Sequence, residues 1–130
     1  MRSFGTEDSG FAVDYRSGGR TVVVRAWGFW DPALAAAFPG AVTEACQEAT
    51  PPFGLLLEVS QLKPQREAGQ GAFRALMTAL REGGPARTAV VFENAITKMQ
   101  LTRIARETAT GGWRYFPSEE DATDALTGRR

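Results

Sequence analysis

Gly54-Leu-Leu-Leu-Glu-Val-Ser60 is the stretch on which the fold class turns. Three consecutive leucines and a valine, broken by one carboxylate, show no polar alternation, so the segment reads as a strand covered on both faces. Strands of that kind belong to parallel sheets flanked by helices. The segment Gln61-Leu-Lys-Pro-Gln-Arg66 behind it reads as a loop, and helical periodicity runs from about Glu67 to Glu82. The loop therefore falls at the carboxyl end of the strand, where open α/β sheets usually carry their functional groups.

Toward the N-terminus, residues 1–10 are polar and glycine-containing and read as a flexible tail, leaving 11–127 as a single domain. Phe11, Val13 and Tyr15 alternate with Ala12, Asp14 and Arg16, the period of a half-buried strand. Ser17-Gly18-Gly19 offers residues that accept positive φ, and Arg20 to Ala26 resumes the strand pattern, which together signal a hairpin. Asp31-Pro32 marks a helix start, with an acceptor for an early N–H and a proline where no donor is needed. This first helix is expected to reach about Thr50, before Pro51-Pro52, with Leu34, Phe38, Ala41, Val42, Ala45 and Ala49 on one face and Cys46 at its border.

Toward the C-terminus, the second helix points Gly69, Ala72, Phe73, Leu76 and Leu80 to one side and stops at Gly83-Gly84-Pro85. Gly69 and Gly71 are weak helix formers, and Gly69 on the apolar face suggests a close approach to the sheet or a longer loop. Thr88 to Phe92 is the next strand, Asn94 caps a third helix to about Thr108, and Trp113 to Phe116 is a last short strand. Ser118-Glu-Glu-Asp121 opens a final helix through Leu126. The order β-β-α-β-α-β-α-β-α predicts a mostly parallel sheet of about five strands with four helices, its first strand antiparallel at one edge.

Composition excludes several function classes. With fifteen Lys plus Arg against fifteen Asp plus Glu, no overall field draws nucleic acid or anionic membrane. No apolar run approaches a membrane span, and the expectation is a cytoplasmic protein. The chain has no histidine, which removes the usual general base, the commonest metal ligand and any Ser-His or Cys-His dyad. The lone Cys46 makes no internal disulfide or thiolate metal site and reads as packing. No cofactor, metal or catalytic residue is expected.

Several stretches together resemble the STAS or SpoIIAA-like family known from anti-sigma factor antagonists, and more closely its bacterial STAS/SEC14-type members. They are Val22-Val-Val-Arg-Ala-Trp-Gly28, Leu55-Leu-Leu-Glu-Val-Ser60, Thr88-Ala-Val-Val-Phe92 and Trp113-Arg-Tyr-Phe-Pro-Ser-Glu-Glu-Asp-Ala122. The resemblance covers about Phe11 to Leu126 and implies a regulatory domain acting on protein partners. Regulatory members carry a phosphorylatable serine at the start of the helix after the apolar strand, whereas here no Ser or Thr occurs between Gln61 and Met77. The phosphoswitch, which needs a hydroxyl there, is therefore not expected.

Two candidate sites follow. The first is a partner surface made of Ser60, Lys63 and Arg66 in the loop, with Ile96, Met99, Arg103 and Arg106 on the third helix. Ile96 and Met99 lie off that helix's apolar face of Thr97, Leu101, Ile104, Ala105 and Thr108, and apolar groups ringed by arginine suit a protein interface. The alternative is an apolar ligand or lipid pocket between Trp27, Phe29, Trp30 and Phe53, competing with their use as core. Glu58, Glu67 and Glu93 near strand ends are the acids that proton transfer would use. The partner stays unnamed at this level, and a homodimer through an edge strand or the third helix stays open.

Overall fold

The apolar stretch at 54–60 becomes β4 (Gly54–Leu62), an inner strand whose Leu55, Leu56, Leu57 and Val59 are fully buried. In the computed structural model, which describes residues 1–81 and 84–128, it lies in a six-stranded sheet. The other strands are β1 (Arg2–Gly5), β2 (Gly10–Arg16), β3 (Thr21–Gly28), β5 (Arg87–Val91) and β6 (Trp113–Phe116). Four helices, α1 (Pro32–Glu48), α2 (Glu67–Leu80), α3 (Ala95–Glu107) and α4 (Glu119–Leu126), complete the fold. β1–β2 and β2–β3 pair antiparallel, and β3 to β6 run parallel.

Strand order in space is the strand order of the chain, β1-β2-β3-β4-β5-β6. Three crossovers stepping in one direction with one handedness must put their helices on one face. α1, α2 and α3 accordingly share a core with Leu55, Leu57 and Val59, contributing Phe38, Phe73 and Ile104 among others. The opposite face, with Val23, Leu56, Ala89 and Val91, is covered by the short α4 through Ala122 and Leu126. Because the order never reverses, the sheet has no topological switch point, so the crevice expected by analogy with doubly wound folds does not form.

Local sequence accounts for the helix ends. The Asp31 carboxylate accepts from Leu34 N–H at 2.7 Å, Asn94 accepts from Ile96 N–H at 2.8 Å, and Ser118 Oγ accepts from Asp121 N–H at 3.2 Å. α2 runs to Leu80, and its expected end at Glu82 and Gly83 lies outside the described residues.

Three local features differ from expectation. Residues 2–5 form the edge strand β1, so the edge belongs to β1 and not to the strand at Phe11. The physical reason is one residue, Phe4, whose ring stacks on Phe11 at 4.6 Å. At the hairpin, left-handed backbone falls on Arg20 (φ 48°), and the glycines before it belong to a short 3-10 turn. Finally, Arg25 faces Glu58 while Trp27 faces Gln61, so two steps along β3 answer three along β4. That bulge keeps Ser60 inside the strand and returns Leu62 to the helix-covered core.

Candidate functional site

At the carboxyl ends of β3 and β4 three chain segments converge on one buried polar side chain. Gln65 is 6% exposed. Its Nε2 donates to Gly28 O at 3.0 Å and to Lys63 O at 2.7 Å, and its Oε1 accepts from Trp30 N–H at 3.1 Å. One planar amide supplies both donors and the acceptor, which a carboxylate could not do. The Gln65 backbone bonds to Gln100 in both directions, at 2.9 and 3.0 Å, and accepts from Gln70 Nε2 at 2.8 Å. Thr97 Oγ1 donates to Leu62 O at 3.1 Å, a second tie between α3 and β4.

Gly69 exists for this side chain. A Cβ on Gly69 would contact Gln65 Oε1 and come within 2.7 Å of its Cβ and 2.9 Å of its Cδ. The close approach inferred from sequence is thus to a loop glutamine and not to the sheet. Gln65 itself escaped notice, since a single amide between Pro64 and Arg66 has no periodic signal. The one clue was a glycine four residues later on an otherwise apolar face.

This fixed loop displays cations and apolar groups. Lys63 and Arg66 are exposed, and the Arg66 guanidinium lies 5.4 Å from the centre of the Phe29 ring. Along α3, Ile96 and Met99 are 52% and 63% exposed, followed on the same stripe by exposed Arg103 and Arg106. Thr97, Leu101 and Ile104 turn inward as the periodicity predicts. Arg103 donates to Gln70 and lies 3.9 Å from Glu107, which Arg74 holds at 3.0 Å, so it links α3 to α2. Lys98 Nζ sits 4.7 Å above the Phe92 ring. Among the described residues the exposed large hydrophobics are Met1, Phe29, Ile96 and Met99.

The four residues of the alternative pocket are dispersed. Trp30 is 2% exposed, stacks on Phe73 at 5.5 Å and donates from Nε1 to Gly10 O at 3.1 Å. Trp27 donates to Thr6 O at 2.8 Å, and Phe29 faces outward under Arg66. Phe53 precedes Gly54, whereas Trp27 is in register with Gln61. Eight residue steps from Phe53 to Gln61 at about 3.3 Å each put the two roughly 26 Å apart, at opposite ends of the sheet. They do not line one cavity.

Glu58 and Glu67 do not meet. Glu58 accepts from Ser60 N–H at 2.7 Å and lies 3.7 Å from Arg25. Arg25 is held mainly by Glu119 at 2.8 Å, a hydrogen bond that raises its pKa against the opposing effect of burial. Glu67 sits in the first turn of α2, which packs against the other face of the sheet. Burial pushes the Cys46 thiol up to about 11, away from nucleophilic use. Among the described residues no group of three or more His, Cys, Asp or Glu is placed to hold a metal. No helix among them is long and apolar enough to cross a membrane.

Neither a family model nor a curated protein matches the chain. Solved structures do. An anti-sigma factor antagonist from Mycobacterium paratuberculosis shares the fold at a TM-score of 0.65 and 20% identity, over 94% of this chain and 97% of that one. The fold is SpoIIAA-like. A protein described as having a SpoIIAA-like fold, from Shewanella loihica, matches at 0.66 and 20% identity, over 95% and 98% of the two chains. SpoIIAA in its unphosphorylated form matches at 0.59 and 18% identity, over 91% and 96%. At these identities the similarity carries the fold, in agreement with the motifs read from the sequence.

Proposed function

We propose that this chain is a non-catalytic regulatory or adaptor domain that works by protein–protein contact, through the β4–α2 loop and the outer stripe of α3. The observation that carries the reading is the exposure of Ile96 and Met99 on a helix whose other large apolar residues are buried. Burying their remaining exposed surface is worth roughly 1–1.5 kcal/mol each, discounted by about half from full burial. Lys63, Arg66, Arg103 and Arg106 frame them and would orient an acidic partner. The loop beneath is pre-set by Gln65, which lowers the ordering cost of association. Two of the similar structures are anti-sigma factor antagonist proteins, and only that general class, a regulator acting through another protein, is carried over.

The start of α2 carries no hydroxyl. Its N-cap is Arg66, without a side-chain cap, and its first turn holds Glu67. We therefore propose contact without a serine phosphoswitch, the partner being bound constitutively.

The test compares capture of binding proteins by the wild type and by an Ile96→Asp/Met99→Asp double variant, both shown to fold. A partner kept by the wild type and lost by the variant is the expected result. Identical sets of retained proteins would overturn the assignment of this surface, and stoichiometric phosphorylation of Ser60 by a host kinase would overturn the constitutive mode.

A further inference from the structure

The amino ends of the parallel strands form a second feature, remote from the surface above. Thr21, Gly54 and Arg87 stand in register at the starts of β3, β4 and β5. Arg20 immediately precedes Thr21, so two arginines flank a glycine across two strand spacings, roughly 10 Å. A Cβ on Gly54 would meet Leu126 Cδ2 at 3.2 Å, so the glycine lets Leu126 pack onto the strand between the arginines. A concavity of about 280 Å³ lies there, lined by Arg20, Phe53, Arg87 and Leu126 among others. A neighbour of about 320 Å³ shares Arg87 and Leu126 with it and adds Thr88 and Arg114. A third of about 250 Å³ shares Arg87 and Thr88 with the second and adds Arg81 and Thr110.

Among the described residues no Asp or Glu lines these concavities. Ion pairs among the described residues engage Arg2, Arg16, Arg25, Arg74 and Arg103, but not Arg20, Arg81, Arg87 or Arg114. In a chain of zero net charge, four guanidinium groups without an ion pair among the described residues are a local arrangement and no reflection of overall composition. One of them is held in place. Arg87 donates through one Nη to Ala125 O at 3.1 Å, at the end of α4, and keeps its remaining N–H groups for the groove. Arg20 adopts left-handed backbone although two glycines precede it.

We propose that this arginine-lined groove is a binding site for a phosphate-bearing anion. Planar guanidinium groups match phosphate oxygens in paired N–H···O geometry. The ligand sits between Arg20 and Arg87 beside Leu126, with Arg114 and Arg81 lining the adjoining concavities. The same chemistry serves a free phosphoester or a phosphorylated lipid headgroup.

The test titrates the full chain with inorganic pyrophosphate by calorimetry, beside three charge-removing variants. Arg20→Asn keeps a residue tolerant of left-handed backbone, Arg87→Gln removes the central cation, and Arg2→Gln removes an equal charge from β1. Saturable one-to-one binding is expected, weakened about tenfold or more by Arg20→Asn and by Arg87→Gln and unchanged by Arg2→Gln. Since Arg87→Gln also frees the end of α4, its melting temperature is measured in parallel, and Arg20→Asn decides where the two disagree. Sedimentation with phosphatidylcholine vesicles, with and without a phosphoinositide, separates the sources: tighter capture by phosphoinositide vesicles assigns a headgroup, and binding of pyrophosphate alone assigns a soluble ligand. Absence of saturable binding at millimolar pyrophosphate, or equal weakening by Arg2→Gln, would overturn the proposal.

Discussion

The same substitution two residues apart in α2 should have opposite effects. Gly71→Ala places a methyl where nothing lies within 4 Å, so it should stabilise by about 0.5–1 kcal/mol through helix propensity. Gly69→Ala gains a similar propensity term but drives a Cβ into the Gln65 side chain, including its Cβ at 2.7 Å. Relief requires Gln65 to leave its site, which orphans the buried Trp30 N–H and takes a donor from Gly28 O and Lys63 O. An unsatisfied buried donor costs about 1–3 kcal/mol, and each lesser bond about 1 kcal/mol. After the propensity gain, Gly69→Ala should destabilise by roughly 2–4.5 kcal/mol. Urea unfolding followed by tryptophan fluorescence reads both; with m near 1–3 kcal/mol/M, each kcal/mol moves the midpoint by roughly 0.3–1 M. A Gln65→Gly background should shrink the Gly69→Ala penalty, since both the amide and the Cβ that must move are gone. If both alanines stabilise alike, Gln65 is not the fixed hub described above.

Other outcomes follow from burial. Ile104→Ala should cost about 2–5 kcal/mol and Ile96→Ala under about 0.5 kcal/mol, because the first side chain is fully buried and the second 52% exposed; thermal melts separate them. Removal of residues 1–5 strips Phe4 from Phe11 and should cost about 1–2 kcal/mol by the same melts. The Cys46 thiol is raised from 9.0 to about 11 by burial, so the unfolded chain loses its proton first as pH rises. Its stabilising contribution is complete below pH 9 and disappears between pH 9 and about 11, by at most roughly 2–3 kcal/mol. A Cys46→Ala variant should show a shallower loss of urea midpoint across that window, and an unchanged slope would remove the thiol from the account.

The elements carrying long periodic signals were legible. The apolar stretch at 54–60, the Asp31, Asn94 and Ser118 caps and the inward face of Thr97, Leu101 and Ile104 all follow from local residue choice, and local choice survives into the folded chain. What escaped depends on partners distant in sequence. β1 holds one apolar residue and is a strand because Phe11 and its ladder are there to receive it. The β4 bulge is a mismatch between two strands and has no signature in either one. Gln65 is held by groups 35 residues away in both directions, the Trp30 backbone and the Gln100 side chain of α3. The outer stripe of α3 could be read because its exposure is the complement of a helical period. The groove at Arg20 and Arg87 could not, since only sheet register brings together residues 67 positions apart.

Identity of chain order and strand order also bears on how the molecule assembles. Every strand finds a sheet neighbour in the strand made just before it, so a chain emerging N-terminus first meets each new pairing edge already in place. Only α4 reaches far back, when Glu119 closes on Arg25 across 94 residues. Synthesis would thus proceed as a zipper growing at one end, with α4 as the latch over a face that stays uncovered until that helix appears.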